Sequence, residues 1–493
     1  MDSPLPYPAE TEVYIDRGIS LHRELGMSYA LAAFDPACSD SRAKAEDKLP
    51  HAVYRAFEHW GQVLLWTAQI YRVAEEEFWL ILYRLYRLAE ARNVLAVRLD
   101  NRDESEPCNT SGGLFKRALL FSLANVRRLR QRDMSAVFRL LGELGDRARL
   151  EKDPVLDGQM AEFFLDIGGR RPPLRTRGPS DAESGDARFL HTRALARALI
   201  EWNEASAGGA LKPMLEKSVL VRVARSLGGL EKRKSTRRAE TDACWCVTGV
   251  AALAGALSSP QSWGEGGGRP GFGARPTSSV FELEREEEGK RPDSNFEARI
   301  LRSEAGLGKM LGKKRSSLAM FSSSNIWSAD SREAAPMDQE VTPVEGMIVN
   351  SSSRGCCIIW PTHPSARTKV GEVIGVWLGV AKQPSFIGTI RWLECDSDGL
   401  TLGVELLSPS ARVVDVYDNA SKPKGKSLFM GADPVLRSVP ELLAIPGGIK
   451  TGSVVRIRSE DSVASYWARE VLESTPSFVR YALMEMGSEL DSD

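Results

Sequence analysis

Val349-Asn350-Ser351-Ser352-Ser353-Arg354-Gly355 decides how the chain is read. It holds an Asn/Asp-x-Ser-x-x-Gly pattern, filled by Asn350, Ser352 and Gly355. Apolar residues flank it, Met347 to Val349 before and Cys356 to Trp360 after. That arrangement predicts a turn between two strands, with short polar side chains exposed at the corner. Gly355 is expected to supply a positive φ where the second strand starts. Asn carries a donor and an acceptor and Ser a hydroxyl, so such a corner can hydrogen-bond the edge of a purine.

Two further strand-like runs follow, at 370–377 and 386–393. Leu400, Leu402, Val404 and Leu406 then alternate with Thr401, Gly403 and Glu405, the period of a half-buried strand. Upstream, Arg233-x-x-x-Arg237 precedes a strand-like run from Cys244 to Val250. The spacing of two arginines alone carries little, since Arg193 and Arg197 share it. Its position after the last predicted helix and before a first strand sets this copy apart.

The order of arginine segment, strand and Asn/Asp-x-Ser-x-x-Gly resembles the PilZ domain, a small bacterial β-barrel that binds cyclic di-GMP. The phrase from Gly388 to Leu393 and the run Gly399 to Leu407 resemble that family's last barrel strands. The resemblance implies cyclic di-GMP as ligand. It gives Arg233 and Arg237 the guanine or phosphate contacts, Asn350 and Ser352 contacts to the guanine edge, and Gly355 the backbone room. One departure is length: 113 residues separate Arg237 from Asn350. Most of the excess lies in 259–341, whose Gly, Pro, Ser and acidic runs disfavour a packed core and predict a disordered insertion. A long insertion in a surface connection costs little closure entropy, so a split barrel is physically acceptable. The chain also resembles those PilZ proteins that join a helical N-terminal domain, a split barrel and a small C-terminal β module. Some of them are linked to type IV pili and surface attachment.

From Tyr54 onward, apolar residues three and four apart predict helices. Tyr86 to Glu90 closes a pair resembling a tetratricopeptide-like hairpin, without a repeat of fixed length. Residues 1–50 show no strong period, 166–187 reads as a long loop, and 409–431 as a linker. The expected fold class is α+β multidomain. It comprises a helical-repeat-like domain (1–229), the first part of the barrel (230–258), the insertion (259–341) and the second part (342–412). A C-terminal β module (413–486) and an acidic tail (487–493) complete it.

Lysine and arginine number 65 against 66 aspartate and glutamate, a net charge of −1, which gives no global basic field for DNA or RNA. The longest apolar run, Cys244 to Leu257, is too short for a transmembrane segment. Met1 to Pro4 lacks the parts of a signal peptide, so a cytoplasmic location is expected. Seven cysteines, an odd number, suit a reducing compartment, and those at 244, 246, 356 and 357 are expected as buried thiols. His51 and His59 near Glu58 lack a third ligand, so no metal is expected. Gly266-x-Gly268-x-x-Gly271 lacks a preceding strand, and Gly312-Lys313 lacks the Ser or Thr of a phosphate loop. With no nucleophile–base pair evident, the sequence points to a binding protein without cofactor, not an enzyme. A protein partner is expected through the helices. The alternative is a helical interaction scaffold whose barrel binds no nucleotide.

Overall fold

The structure is a computed structural model. It describes residues 9–35, 45–99, 106–178, 185–206, 215–229, 236–258, 343–360, 368–379, 384–396, 399–418, 421–432, 439–458 and 463–486. All of them fall within the unit formed by 1–280 and 341–493. Arg233, the insertion with its two glycine motifs, and the acidic tail lie outside the described residues.

The N-terminal helices are α1 (Ala9–Phe34), α2 (Ala45–Gln69), α3 (Glu76–Ala91), α4 (Ser111–Leu123) and α5 (Gln131–Leu144). In α2, Val53, Tyr54, Phe57, Trp60 and Leu64 recur three and four apart and are buried, giving one apolar stripe. Thr110 caps α4, its side chain accepting from Gly113 N at 3.1 Å. Arg117 and Glu106 pair at 2.6 Å inside this core, the guanidinium stacked 4.1 Å from the Phe138 ring centroid. The helices run to 26, 25, 16, 13 and 14 residues, so no unit of fixed length recurs among them.

Three expectations for this half are corrected. The first 50 residues hold the 26-residue α1. The stretch 166–187 is not one long loop, because strands enter it. Six short strands run from 149 to 191: β1 (Arg149–Glu151), β2 (Val155–Leu156), β3 (Gln159–Met160), β4 (Phe163–Asp166), β5 (Leu174–Arg175) and β6 (Ala187–His191), of which the end of β4, all of β5 and the start of β6 fall in that stretch. Four of them form a sheet in the order β1-β6-β4-β5, and β2 pairs with β3. The region before 230 is therefore mixed: α6 (Arg193–Ser206) and α7 (Lys217–Leu227) follow the sheet.

A closed barrel comes next, in the order β10-β11-β12-β9-β8-β7. Its strands are β7 (Arg238–Thr248), β8 (Val344–Ser352), β9 (Gly355–Trp360), β10 (Val373–Leu378), β11 (Phe386–Cys395) and β12 (Leu400–Ser408). Between β7 and β8, Val250–Ser258 is a helix, α8. A second closed barrel follows at once, ordered β13-β14-β15-β18-β17-β16. It comprises β13 (Arg412–Asp418), β14 (Pro423–Met430), β15 (Glu441–Ala444), β16 (Val454–Arg458), β17 (Val463–Ser474) and β18 (Val479–Glu485). The linker expected at 409–431 thus contributes two barrel strands.

Helix α8 joins the barrels. Val250, Leu253 and Ala254 share one core with Val373 and Trp377 of the first barrel and with Leu428, Leu443 and Phe478 of the second. Small alanines let the helix approach both sheets closely. The helical half meets the first barrel at the end of β11, where Cys395 N donates to the Tyr71 carbonyl at 2.9 Å. Arg127 pairs with Glu394 at the same seam. Among the described residues no helix is long and apolar enough to cross a membrane. Cys108, Cys244, Cys246, Cys356 and Cys357 are buried free thiols. Burial pushes the thiols of Cys108 and Cys357 up to about 11.

Candidate functional site

The local geometry of β8 explains how the motif residues are presented. Alternation along the strand buries Gly346 and Ile348 and exposes Glu345 and Met347. A bulge then shifts the register: Ile348 pairs with Ile358, but Asn350 pairs with Cys357. One extra residue reverses which face each side chain meets. Ser351 therefore turns inward, 6% exposed, and donates to Glu240. Asn350 and Ser352 remain half-exposed.

Ser352 faces Gly355 across a two-residue turn. Its hydroxyl donates to the Gly355 carbonyl at 3.1 Å and accepts from Arg354 N at 3.4 Å. Gly355 is not one of the residues at positive φ, contrary to expectation. Its lack of a side chain is needed for close approach: a Cβ there would stand 2.2 Å from the Val404 carbonyl oxygen of β12. Arg238 pairs with Ser351, which sets exposed Arg237 beside Ser352 at the same edge.

Arg237, Ser352 and Gly355 line one cleft of about 1050 Å³, a volume suited to a small-molecule ligand. Asn350 does not line it. The Asn350 side chain hydrogen-bonds the Cys357 thiol. Arg233, outside the described residues, is not placed. The remaining walls come from the helical half (Arg128, Arg130, Arg222 and Arg225), from β11 and β12, and from Glu473 of the second barrel. In all, seven arginines and four carboxylates face the space.

The electrostatics are uneven. Arg391 is bound by Glu405 at 2.5 Å and by Glu473 at 2.9 Å. Burial works against its charge, but the hydrogen bond and charge of Glu473 and then Glu405 raise its pKa above the ordinary value. Arg130 has Glu216 at 3.2 Å. Arg222 is different. Burial lowers its pKa first, and repulsion from Arg391, Arg128 and Arg130 lowers it further, with Asp133 opposing. Its Nη1 donates to the Arg128 carbonyl at 2.6 Å. Such a wall attracts anions, and guanidinium forks suit phosphate oxygens and the O6/N7 edge of guanine. Trp392 adds an aromatic surface. Its indole lies against bare backbone, since a Cβ on Gly403 would stand 1.9 Å from its Nε1. Nucleobases stack on surfaces of that kind.

Sequence reasoning missed Arg128, Arg222, Arg391 and Trp392. Arg222 lies off the apolar face of α7 formed by Val219, Leu220, Val223 and Leu227, where a charge ordinarily means a solvated surface. No local signal marks it. Among the described residues no group of three or more His, Cys, Asp or Glu is placed to hold a metal.

Comparison with known proteins identifies the family. The family model described as "Cyclic-di-GMP receptor FimW, N-terminal domain" matches residues 1–154. The one described as "Cyclic-di-GMP receptor FimW, middle PilZ domain" matches 163–412, from β4 to the start of the second barrel. The cyclic-di-GMP receptor FimW of Pseudomonas aeruginosa is 23% identical over 414 residues, 80% of this chain and 64% of that protein. The chain thus spans slightly under two thirds of that relative's length. No solved structure matches it. With a PilZ model covering more than half of its length and the flanking N-terminal model beside it, the chain belongs to the PilZ-domain cyclic-di-GMP receptor family.

Proposed function

We propose that this chain binds cyclic di-GMP in the arginine-lined cleft and transmits the binding event through its helical half. The observation that carries this reading is the convergence of Arg237, Ser352 and Gly355 on a cleft whose other wall is cationic. Cyclic di-GMP offers two guanines and two phosphates, so it meets forks, hydroxyls and an aromatic surface in one place. Arg237, before the start of β7, holds guanine or phosphate, Ser352 reaches the guanine edge, and Arg233 takes the role that the family resemblance gives it. Asn350 acts there only after exchanging its bond to Cys357 for one to ligand.

The protein is then a receptor without catalytic chemistry, and its output is a change in how the helices engage a protein partner. A ligand that touches both helices and barrel favours the arrangement in which those walls are close, to the extent that it binds that arrangement better. Surface attachment, motility or type IV pilus control is the process that fits a member of this family. Calorimetric titration of the full chain with cyclic di-GMP tests the reading. Saturable binding that GTP does not displace is expected. Absence of binding makes the chain a scaffold with a silent barrel.

A further inference from the structure

The barrel-side residues are those a PilZ pattern names. The opposite wall is not part of that pattern, and its charges are poorly matched. Arg130 and Arg391 each have a carboxylate within hydrogen-bond distance. The half-buried Arg222 instead gives a hydrogen to a neutral carbonyl, that of Arg128. Three other guanidiniums repel it, and Asp133 is the carboxylate that offsets them. Asp133 in turn lies 3.6 Å from Arg132 and so serves more than one cation. Partial burial of an under-compensated charge costs stability unless a partner arrives. A folded chain that gathers cations from α7, from the 126–128 turn and from β11 around one cavity is arranged for an anion that it does not itself supply.

We propose that Arg222 of α7 is a phosphate-binding residue of the cyclic dinucleotide site, contributed by the helical half rather than by the barrel. This rests on the functional reading above and adds its regulatory element. One ligand phosphate neutralises the Arg222 cluster while the guanine side engages Arg237 and Ser352. Occupancy then ties α7 to the first barrel. Without ligand, like charge between Arg222 and Arg391 opposes the approach of α7 to β11, and ligand turns the repulsion into a bridge.

Titration of the full chain with cyclic di-GMP, together with thermal unfolding with and without it, tests the proposal on Arg222→Gln, Arg222→Lys and Arg237→Ala. Arg139→Gln, whose exposed side chain pairs with Glu143 at 3.2 Å away from the cleft, is the control. Arg222→Gln is expected to bind about ten- to a hundredfold more weakly. Its unliganded melting temperature stays level or rises, because a repelled charge is gone. Arg222→Lys keeps the charge but not the fork, so its affinity falls between the two. A structural residue gives the opposite pattern: unliganded Arg222→Gln melts lower and affinity stays near wild type. That result, or wild-type affinity in Arg222→Gln beside a loss in Arg237→Ala, overturns the proposal and leaves the receptor reading intact. Failure of the wild-type chain itself to bind overturns both.

Discussion

Arg391 of β11 is shared between Glu405 of its own barrel and Glu473 of the second barrel, the latter at 2.9 Å. The pair pins two domains together at the rim of the ligand cleft, and Glu473 occupies a guanidinium that an incoming phosphate also favours. Glu473→Gln should therefore do two things. It lowers unliganded stability by about 1.5–3 kcal/mol, the range for a charged hydrogen bond, and it raises cyclic di-GMP affinity severalfold. Thermal unfolding and titration of the same preparation read both. A loss of affinity would show that Arg391 is structural only.

Arg237→Ala removes an exposed side chain at the start of β7 and opens no cavity. Its melting temperature should match wild type while affinity falls about ten- to a hundredfold. Ser352→Ala behaves differently. It forfeits the turn bond to the Gly355 carbonyl, so about 0.5–1.5 kcal/mol of stability goes with it. The ratio of stability loss to affinity loss separates the two residues.

Gly355→Ala tests whether the motif glycine serves the fold. The added Cβ meets a backbone oxygen 2.2 Å away, and backbone in a closed barrel has little room to retreat. Overpacking of this kind costs about 1–3 kcal/mol, with each kcal/mol lowering the melting temperature by about 2–4 °C in a domain of this size. Circular dichroism melts check it. An unchanged melt would return the residue to a role in ligand access.

Helices α1 and α2 meet at His22 and His59, whose Nδ1 atoms are 3.1 Å apart. Burial lowers both pKa values below 6.5, Glu58 opposes the shift at each, and at His59 the His22 ring and Arg55 lower it further. Below pH 6.5 the unfolded chain takes up protons that the folded pair resists. Stability is therefore full above 6.5 and lost as pH falls through the folded values. Melting temperature between about pH 8 and 5 should drop on the acid side, and His59→Gln should flatten the drop. An equal slope in that variant would place the acid sensitivity elsewhere.

The first barrel was legible because its strands keep one face in the core. Leu400, Leu402 and Val404 are buried on the alternation read from the sequence. Strand β14 was not, because its first half, Pro423 to Lys426, is exposed and only Ser427 to Met430 is buried, so no period forms. The strands between 149 and 191 are two to five residues long, too short for a pattern. Helix α1 escaped because apolar residues such as Leu21 and Leu31 also stand on its exposed side. The turn holding Ser352 and Gly355 was visible as turn chemistry, but the bulge before it was not. The cationic wall was out of reach for another reason. Arg128 and Arg222 are 94 residues apart, and only the packing of α7 on the turn after α4 makes them neighbours.

The helix Val250–Ser258 has a consequence for how this molecule comes apart. Val250 and Leu253 lie in a core built from both barrels and Leu257 packs against it, so neither barrel has a finished apolar surface of its own. A chain ended at 412 would leave that helix half uncovered and bare the inner ends of β7 and β10. The match of the family model ends at 412, but cooperativity does not: heat or denaturant should melt the two barrels in a single step.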